Sequence, residues 1–591
     1  MSTPVKKPEL DEEKLLELKL RREKNQSEML TPINPTRGPE FQKMLLEILI
    51  HRGNIKDHYA DLLLSKNLHL YENAFTSNSI NSYKNPDPNS DNVLQDKDNG
   101  DNYDVFKIFG DNIFENFMIL YIFRRFPTLR SADDVKVLAR MKIEYGIDIT
   151  FPNMAQQLGF GPYIASSLYE KNNKENTLLQ NSLSAFLGVT YYGLERLTGV
   201  YGAGFAVCYD ILKSLFDELN IPEPSNFDEL NNPITVLKEF FDSNQYVGKL
   251  IIPFETNYDY DLMKYICKIY YEKDGVKTLL GTDQAKLKKE SEKLASIKAI
   301  LELKRRRQFV EKKREKKKLK PLEIGQDVII YGQRDQGFRN MIEKIIRDAK
   351  IDEKYSQYLL TEEAFEIYDQ AFTSNSANLL PSGHIDTKST QNYEVYETLG
   401  DAVFKNFIVY YSAMRFDFFL SKDAKVISRI KINYGSDKEF AKLAKMLGFQ
   451  GFITSSEYEE REEPDKLLED TFEAFLGATA YILDHQFRIG VGYSICYTIL
   501  KNIYDKIEIP TEFKLLLDAV SRLKEFFDKN KEYGTMDFRQ AGYGRVRVFA
   551  KGGGKGDEFL GMGNNPKPKE AKEEAARNAI EYLKKKGFED V

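Results

Sequence analysis

The sequence predicts a mainly α-helical protein with smaller α+β modules, on three observations: an internal repeat, a helical period, and a recurring order of helices and strands. The repeat consists of four short matches that keep their order, which indicates duplication of a unit of about 290 residues. The matches are Ala-Phe-Thr-Ser-Asn-Ser at 74–79 and 371–376, Phe-Gly-Asp at 109–111 with Leu-Gly-Asp at 399–401, Ala-Phe-Leu-Gly at 185–188 and 474–477, and Leu-Lys-Glu-Phe-Phe at 237–241 and 523–527.

Each copy is predicted to begin with an all-α domain, at 37–222 and at 328–511. Apolar residues in these stretches follow the 3.6-residue period of a helix with one buried face, as Val403, Phe407 and Tyr411 do. We therefore expect helices throughout both domains.

Each helical domain is predicted to be followed by a smaller module of the order α-β-β-β-α, at 223–303 and at 512–591. The module begins with an amphipathic helix around Leu-Lys-Glu-Phe-Phe and continues through short alternating strands, such as 263–271 and 545–550, with Gly-rich turns. It ends in a helix rich in Ala and Lys, at 570–586 in the second copy.

Two further segments are set apart by charge. Residues 1–36 are predicted to be a charged tail and residues 304–327 a basic linker. Between Lys304 and Lys320, 11 of 17 residues are Lys or Arg. This run is either a solvated basic helix or a segment that contacts phosphates or directs the protein to the nucleus, and the run alone does not decide between them.

Composition excludes several classes of function. The three cysteines (Cys208, Cys267 and Cys496) are widely spaced, which argues against a disulfide framework or a zinc site and suits a reducing compartment. The five histidines show no metal-ligand spacing. No apolar run of about 18 residues occurs, so we expect no membrane span and no secretory signal. The expected location is the cytoplasm, with the nucleus left open by the basic run.

Carboxylates cluster around the Leu-Gly-Asp of the second copy. Glu394, Glu397 and Asp401 are spaced i, i+3 and i+7, which places them on one face of a helix. Asp470 and Glu473 form a second i, i+3 pair beside an apolar stripe. Like charges stacked on a helix face destabilise the helix by a few tenths of a kcal/mol per pair, so a nearby cation would explain them.

Two interpretations of these carboxylates compete. For any single pair, an acidic face in contact with solvent is the more common explanation. Two such clusters, each against an apolar stripe, favour a metal site instead. Oxygen ligands without Cys or His suit Mg²⁺ or Mn²⁺, and such an ion activates water and neutralises charge on a phosphodiester.

These motifs resemble the ribonuclease III family. Glu-x-x-Glu-x-x-Gly-Asp at 394–401, followed by Asp-x-x-Glu-Ala-x-x-Gly at 470–477, is similar to the family signature, and the α-β-β-β-α module resembles the double-stranded-RNA-binding domain that commonly follows it. The resemblance covers nearly the whole chain after residue 36. It implies two ribonuclease III-like domains, each followed by such a module.

The resemblance also implies residue roles in the second copy. Glu397, Asp401, Asp470 and Glu473 would bind Mg²⁺, with Mn²⁺ as an alternative, and Glu394 would be an outer carboxylate that supports the site. The implied reaction is hydrolysis of a phosphodiester bond in double-stranded RNA, which leaves 5′-phosphate and 3′-hydroxyl ends. Family domains act in pairs, each cutting one strand.

The first copy departs from the signature. Lys107 stands where the second copy has Glu397, and Asn181 and Ser184 stand where it has Asp470 and Glu473; among the matching acidic positions, Asp104 and Asp111 remain. A lysine ammonium repels a divalent cation and is placed to neutralise Asp111. We therefore expect a folded but inactive domain that pairs internally with the second copy, while a homodimer through the second copies is left open.

The modules carry the predicted RNA contacts. By resemblance, Lys567, Lys569 and Lys572 at the start of the last helix would grip phosphates of duplex RNA, which is recognised by shape. In the first module Glu292 replaces the position of Lys572, so that module is either an RNA binder or a purely protein-contacting domain.

A second functional hypothesis belongs to a different class. The chain would then be a non-catalytic duplex-RNA-binding or ribosome-associated protein on a retired nuclease fold. The retained carboxylates of the second copy count against it. Tandem genes of this style resemble those of giant DNA viruses, and a viral source would place the protein in the host cytoplasm or the virion. The sequence leaves open the natural RNA and whether one or both strands are cut.

Overall fold

The computed structural model describes most of the chain after the charged tail. The described residues are 28, 31–83, 102–127, 129, 132–222, 233–244, 246–259, 262, 264–273, 275–285, 288–306, 328–378, 392–416, 424–510, 516–552 and 557–588. Most of the predicted tail and nearly all of the predicted basic linker lie outside these residues.

The first half is helical, as its apolar period predicts. Its helices are α1 (Pro39–Glu47), α2 (Asp57–Ala74), α3 (Asp104–Arg125), α4 (Ala132–Glu144), α5 (Ile147–Gln157), α6 (Leu168–Asn173), α7 (Glu175–Thr198) and α8 (Ala203–Phe216). A π-helical turn lies at Ile48–Arg52. The expectation of helices throughout is wrong at one place, where β1 (Pro32–Ile33) pairs antiparallel with β2 (Ser166–Ser167). This pairing joins segments far apart in sequence, which a local period cannot reveal.

The first module follows the helical part. It contains α9 (Pro233–Ser243), β3 (Lys249–Leu250), β4 (Glu255–Asp259), β5 (Lys264–Lys273), β6 (Val276–Ala285) and α10 (Lys288–Arg305). The predicted strand 263–271 corresponds to β5, with which β3 and β4 both pair antiparallel. The module therefore has four strands where the predicted order has three, because two short pieces stand in place of the first strand. Pro253 lies in the interruption, and proline has no N–H to donate to a ladder.

The second half repeats this order of elements, with two helices in place of α2. Its helices are α11 (Gln336–Asp348), α12 (Glu353–Leu359), α13 (Glu362–Ala371), α14 (Glu394–Arg415), α15 (Ala424–Tyr434), α16 (Asp437–Leu447), α17 (Glu457–Glu462), α18 (Pro464–Gln486) and α19 (Val491–Tyr504). Strand β7 (Ile329–Ile330) pairs with β8 (Ser455–Ser456), as β1 pairs with β2. Ser456 caps α17 and Ser167 caps α6, each by accepting a bond from a backbone N–H of the first turn.

The second module has the predicted α-β-β-β-α order. It consists of α20 (Ala519–Lys529), β9 (Thr535–Gln540), β10 (Arg545–Lys551), β11 (Glu558–Asn564) and α21 (Pro568–Lys585). The strands form an antiparallel sheet with β10 in the centre. Alternate residues of β10, namely Val546, Val548 and Ala550, are buried against the helices.

The two helical parts share one hydrophobic core, while each module has a separate smaller core. Helix α3 packs on α14, and aromatic rings from the two halves interleave there: the ring centroids of Phe109 and Tyr410 are 6.4 Å apart. The hydroxyls of Tyr191 and Tyr493 are 2.7 Å apart in the same buried region. Among the described residues, no helix combines the length and the apolarity needed to cross a membrane. The predicted mainly helical class with small sheets is confirmed.

Candidate active site

Helices α14 and α18 cross at two glycines. A Cβ added to Gly400 would lie 1.8 Å from the backbone oxygen of Glu473, and one added to Gly477 would lie 1.9 Å from that of Tyr396. No side chain fits at such distances, so the two backbones approach this closely only because both residues are glycine. The crossing explains why a glycine stands inside each of the two motifs.

This crossing brings the predicted carboxylates together. Glu394 and Glu397 lie in the first turn of α14, and Asp401 follows two turns later. On α18, Asp470 and Glu473 are buried, 4% and 7% exposed, an unusual position for charged side chains. The carboxylates of the two helices repel each other across the crossing: Asp470 acts on Glu397, and Asp401 acts on Glu473.

Burial and nearby negative charges raise the pKa values of Glu397, Asp470 and Glu473. Burial, followed by repulsion from Asp470, raises the pKa of Glu397 to about 8. Burial and the charges of Asp401 and Glu397 raise the pKa of Glu473 well above its usual range. Burial also raises the pKa of Asp470, although Lys466 and a hydrogen bond from Tyr393 oppose the shift. Carboxyl groups in this condition gain from a nearby cation.

Three polar side chains hold individual carboxylates. The hydroxyl of Tyr393 donates to Oδ2 of Asp470 at 3.0 Å, and Lys466 lies 3.5 Å from Oδ1 of the same group. Lys405 donates to Oδ2 of Asp401 at 2.6 Å. Tyr393, Lys405 and Lys466 were not among the predicted site residues. Tyr393 reaches Asp470 from 77 residues away in sequence, which the spacing of carboxylates does not reveal, whereas Lys405 and Lys466 lie four residues from Asp401 and Asp470, a spacing that the sequence contains.

The repeated Ala-Phe-Thr-Ser-Asn-Ser segment also belongs to the site. Asn375 donates from Nδ2 to Oε1 of Glu394 at 2.7 Å. Ser374 donates to Oε2 of Glu459 at 2.6 Å, and Ser376 donates to the same oxygen at 2.5 Å. The segment therefore ties the start of α14 to α17. Its recurrence in both copies, just before the helix that carries the signature, was the available sequence signal.

A divalent cation fits this donor set by chemistry. The side chains of Glu397 and Glu473 form neither a hydrogen bond nor an ion pair among the described residues. All the carboxylate donors are hard oxygens of the kind Mg²⁺ prefers. Within the same residues, no group of three or more His, Cys, Asp or Glu side chains is already gathered as a metal-binding cluster. The carboxylates that could bind a cation are therefore present, but among the described residues they are not arranged as a metal-binding cluster.

The first half has the same crossing without the same chemistry. A Cβ on Gly110 would lie 1.8 Å from the backbone oxygen of Ser184, as at Gly400 in the second half. Lys107 forms an ion pair with Asp111, with Nζ and Oδ2 2.5 Å apart, so the expected neutralisation is observed. Asn181 and Ser184 are buried at the remaining two positions. In the first half, the positive charge beside Asp111 is therefore supplied by the ammonium group of Lys107.

The predicted RNA-contacting lysines lie together on the second module. Lys567 precedes α21, Lys569 and Lys572 lie in its first turns, and all three are exposed. Lys572 also lies over the ring of Phe538 in β9, with Nζ 4.7 Å from the centroid. Helix α21 packs closely on the sheet because β11 carries glycines: a Cβ on Gly563 would lie 1.9 Å from the backbone oxygen of Ala571.

Comparison with known proteins places these features in a family. The model of the ribonuclease III domain matches residues 394–482, which span α14 to most of α18. A candidate ribonuclease 3 of Invertebrate iridescent virus 6 is 33% identical over 275 residues, covering 43% of this chain and 90% of the viral protein. A candidate ribonuclease 3 of Frog virus 3 (isolate Goorha) is 33% identical over 225 residues, covering 38% of this chain and 57% of that protein.

A solved structure was also matched, that of Dicer from Giardia intestinalis. The TM-score is 0.32 with 13% identity, over 69% of this chain and 55% of that chain, which is too low to support a conclusion about the fold. The domain match and the viral relative of which 90% is covered suffice: this chain belongs to the ribonuclease III family and is an endoribonuclease of that type.

Proposed function

We propose that the chain is a divalent-metal-dependent endonuclease of double-stranded RNA with one active centre, on the second copy. The products carry 5′-phosphate and 3′-hydroxyl ends. The first helical domain is an inactive partner of the second within the same chain, and the modules hold the duplex. The protein acts in the cytoplasm of its cell or, for a viral source, of the host.

One observation carries this proposal: two copies of one glycine-dependent helix crossing differ in charge. In the second copy the two crossing helices carry Glu397, Asp401, Asp470 and Glu473, of which Asp470 and Glu473 are buried. In the first copy the same crossing carries Lys107 paired with Asp111. Repelling carboxylates are costly to bury without a function, and the first copy demonstrates that the fold does not require them.

The side chains of the second copy have distinct parts in the proposed reaction. Glu397, Asp401, Asp470 and Glu473 would hold the metal. A bound Mg²⁺ or Mn²⁺ supplies Lewis-acid activation of water and neutralises charge on the phosphodiester. Tyr393 orients Asp470.

The supporting residues keep these groups in place. Asn375 holds Glu394 at the edge of the site, and Lys405 and Lys466 offset part of the negative charge before the metal binds. Lys567, Lys569 and Lys572 attract phosphates of the duplex, which positions the strand to be cut.

The test is cleavage of a defined RNA duplex whose two strands carry different end labels. With Mg²⁺ the wild-type chain should nick the strands in independent events, and doubly cut product should appear only after a lag. Glu473→Gln should lose cleavage by at least about 10³-fold while it binds duplex RNA as the wild type does. Equal cleavage by Glu473→Gln would show that the assigned site is wrong.

The same assay separates the non-catalytic hypothesis. A protein that only binds would retain duplex RNA in EDTA and would leave it intact in both Mg²⁺ and Mn²⁺. Mapping the product ends as 5′-phosphate and 3′-hydroxyl would exclude that hypothesis and a nuclease of another chemistry together.

A further inference from the structure

The two halves meet through equivalent parts of the repeat. Along α3 and α14 the equivalent positions differ by 290, as Asp111 and Asp401 do. Around the start of α8 and α19 they differ by 288, as Gly202 and Gly490 do. These two glycines contact each other: a Cβ on Gly202 would lie 2.2 Å from the oxygen of Gly490, and one on Gly490 would lie 2.6 Å from the oxygen of Gly202. Equivalent residues that touch each other lie close to an approximate two-fold axis.

A charge pair also lies close to this axis. Glu115 on α3 and Lys405 on α14 occupy equivalent positions, and their Oε2 and Nζ atoms are 3.6 Å apart. Both side chains are about one-third exposed. Because these positions face each other, pairing of two second copies would bring Lys405 against a second Lys405. Pairing of two first copies would bring Glu115 against a second Glu115.

A second contact beside this pair also requires one first copy and one second copy. Lys431 on α15 donates to Oδ1 of Asn112 on α3 at 2.7 Å. The position equivalent to Asn112 in the second copy is Ala402, which has no side-chain acceptor. Two second copies facing each other would therefore leave Lys431 without this partner and close to two Lys405 ammonium groups. Each Lys405 would keep its bond to Asp401, but the attraction of Glu115 would be replaced by repulsion, which disfavours this pairing.

At the other end of the interface, two further contacts also require one first copy and one second copy. Arg488 pairs with Oδ2 of Asp210 at 2.7 Å, while the second copy has Thr498 at the position equivalent to Asp210. Tyr201 stacks on Tyr497 with ring centroids 4.0 Å apart, and the equivalent of Tyr201 is Ile489.

We propose that this interface selects one first copy and one second copy, and that the catalytic half takes the first half of its own chain as partner and rejects the second half of another chain. The selection comes from the exchanged charges at 115 and 405, the Lys431–Asn112 contact and the Asp210–Arg488 pair. The consequence that each pair of halves contains a single active centre rests on the proposed function.

The first experiment measures the state of the full wild-type chain by sedimentation velocity without RNA. A single species of 68.4 kDa is expected across the micromolar range. The proposal would be overturned by a reversible dimer at these concentrations, together with simultaneous cutting of both strands in the end-label assay.

The second experiment is a charge-exchange cycle read as thermal unfolding. Glu115→Lys should lower Tm by about 3 °C, because it places two lysines in contact. Lys405→Glu also removes the bond to Asp401, so Glu115→Lys/Lys405→Glu should be more stable than the sum of the two single losses predicts, without full recovery. Asp210→Arg with Arg488→Asp forms a second cycle far from the carboxylates. If in both cycles the loss of Tm in the double variant equals the sum of the losses in its two single variants, the charges do not select the pairing.

These readouts separate the two proposals. Sedimentation and the Tm cycles require no cleavage, so a wild-type chain that stays single, shows both couplings and cuts no duplex overturns the proposed function alone. A chain that cuts duplex RNA and dimerises through its second copies overturns the pairing alone.

Discussion

A single tyrosine hydroxyl links the start of helix α14 to helix α18. Tyr393 is buried and precedes the first carboxylate of α14, and its hydroxyl reaches Oδ2 of Asp470. Ser374 lies 3.5 Å from the same hydroxyl. In the first half Tyr103 lies at the equivalent position and bonds Ser77 at 3.3 Å, so the tyrosine is kept even where the acidic partner is replaced by Asn181. We therefore expect Tyr393 to have two roles, one in the packing of the fold and one in orienting Asp470.

Tyr393→Phe should separate the two parts. We expect kcat for duplex cleavage to fall about tenfold and the Mg²⁺ concentration for half-maximal rate to rise, because Asp470 loses the donor that orients it. Steady-state kinetics over a Mg²⁺ titration measures both. Tyr331→Phe, at a tyrosine 61% exposed, is the matched control. An unchanged Mg²⁺ requirement together with an unchanged kcat would contradict the orienting part.

At the scale of elements, the pairing of α14 with α18 depends on backbone contact. The Gly400 and Gly477 positions leave no space for a methyl group, and Gly110 and Gly188 repeat the arrangement in the first half. The glycines are therefore explained by helix packing in both halves, and by catalysis in neither.

Gly400→Ala should lower the free energy of unfolding by at least about 2 kcal/mol, because the added methyl overlaps the backbone oxygen of Glu473. Gly110→Ala should cost a similar amount although its half lacks the carboxylates. Urea denaturation measures both. Gly451→Ala is the control, since a Cβ there meets nothing within 4 Å, and it should change stability by less than about 0.5 kcal/mol. A mild effect of Gly110→Ala with a severe effect of Gly400→Ala would contradict the packing explanation.

The start of helix α21 is the element expected to meet RNA. Replacing Lys567, Lys569 and Lys572 by Ala should weaken duplex binding alike for all sequences and reduce the slope of log K against log salt by about 2 to 3, because each lysine that neutralises a phosphate releases a counterion. Filter binding over a salt series measures the slope. Replacing Lys584 and Lys585 at the far end of α21 should leave it unchanged. A loss confined to some duplex sequences would contradict recognition by phosphate contact.

At the scale of the whole molecule, two buried carboxyls hold the turns through which the halves meet. Glu195 accepts bonds through Oε1 from the N–H groups of Gly202 and Gly204, at 2.8 and 3.1 Å. Asp484 does the same in the second half for Gly490 and Gly492. Burial raises the pKa of Glu195 to about 8 and that of Asp484 to about 7.

These pKa values give the stability a defined dependence on pH. A carboxyl whose pKa is higher in the folded protein stabilises the fold below its unfolded value near 4.5, and this contribution is lost as pH rises towards the folded value. Glu195→Gln cannot ionise, so the wild type should lose stability relative to it between about pH 5 and pH 8, by up to about 3 kcal/mol. Thermal unfolding of both proteins over this range measures the difference, and Asp484→Asn should repeat it at slightly lower pH. A difference that stays constant with pH would contradict the raised pKa.

Much of this protein was predictable from local patterns. The 3.6-residue period predicted helices α14 and α18, the alternation of residues predicted β10, and the i, i+3, i+7 spacing placed Glu394, Glu397 and Asp401 on one face. The four matches of the repeat indicated that a second version of each element exists. These features depend on neighbours a few residues apart, or on comparison of the chain with itself, so the sequence contains them directly. The assignment of metal-binding roles to the carboxylates stays a prediction.

Only the tertiary structure decided which side chains act on the carboxylates and how the halves meet. Tyr393 reaches Asp470 across a helix crossing, Asn375 reaches Glu394 from another loop, and the contact of Glu115 with Lys405 spans 290 residues of sequence. The sequence by itself determined that the two copies differ in charge at equivalent positions. The structure decided that some of these positions face each other, because equivalent residues meet only where the fold places them beside a shared axis.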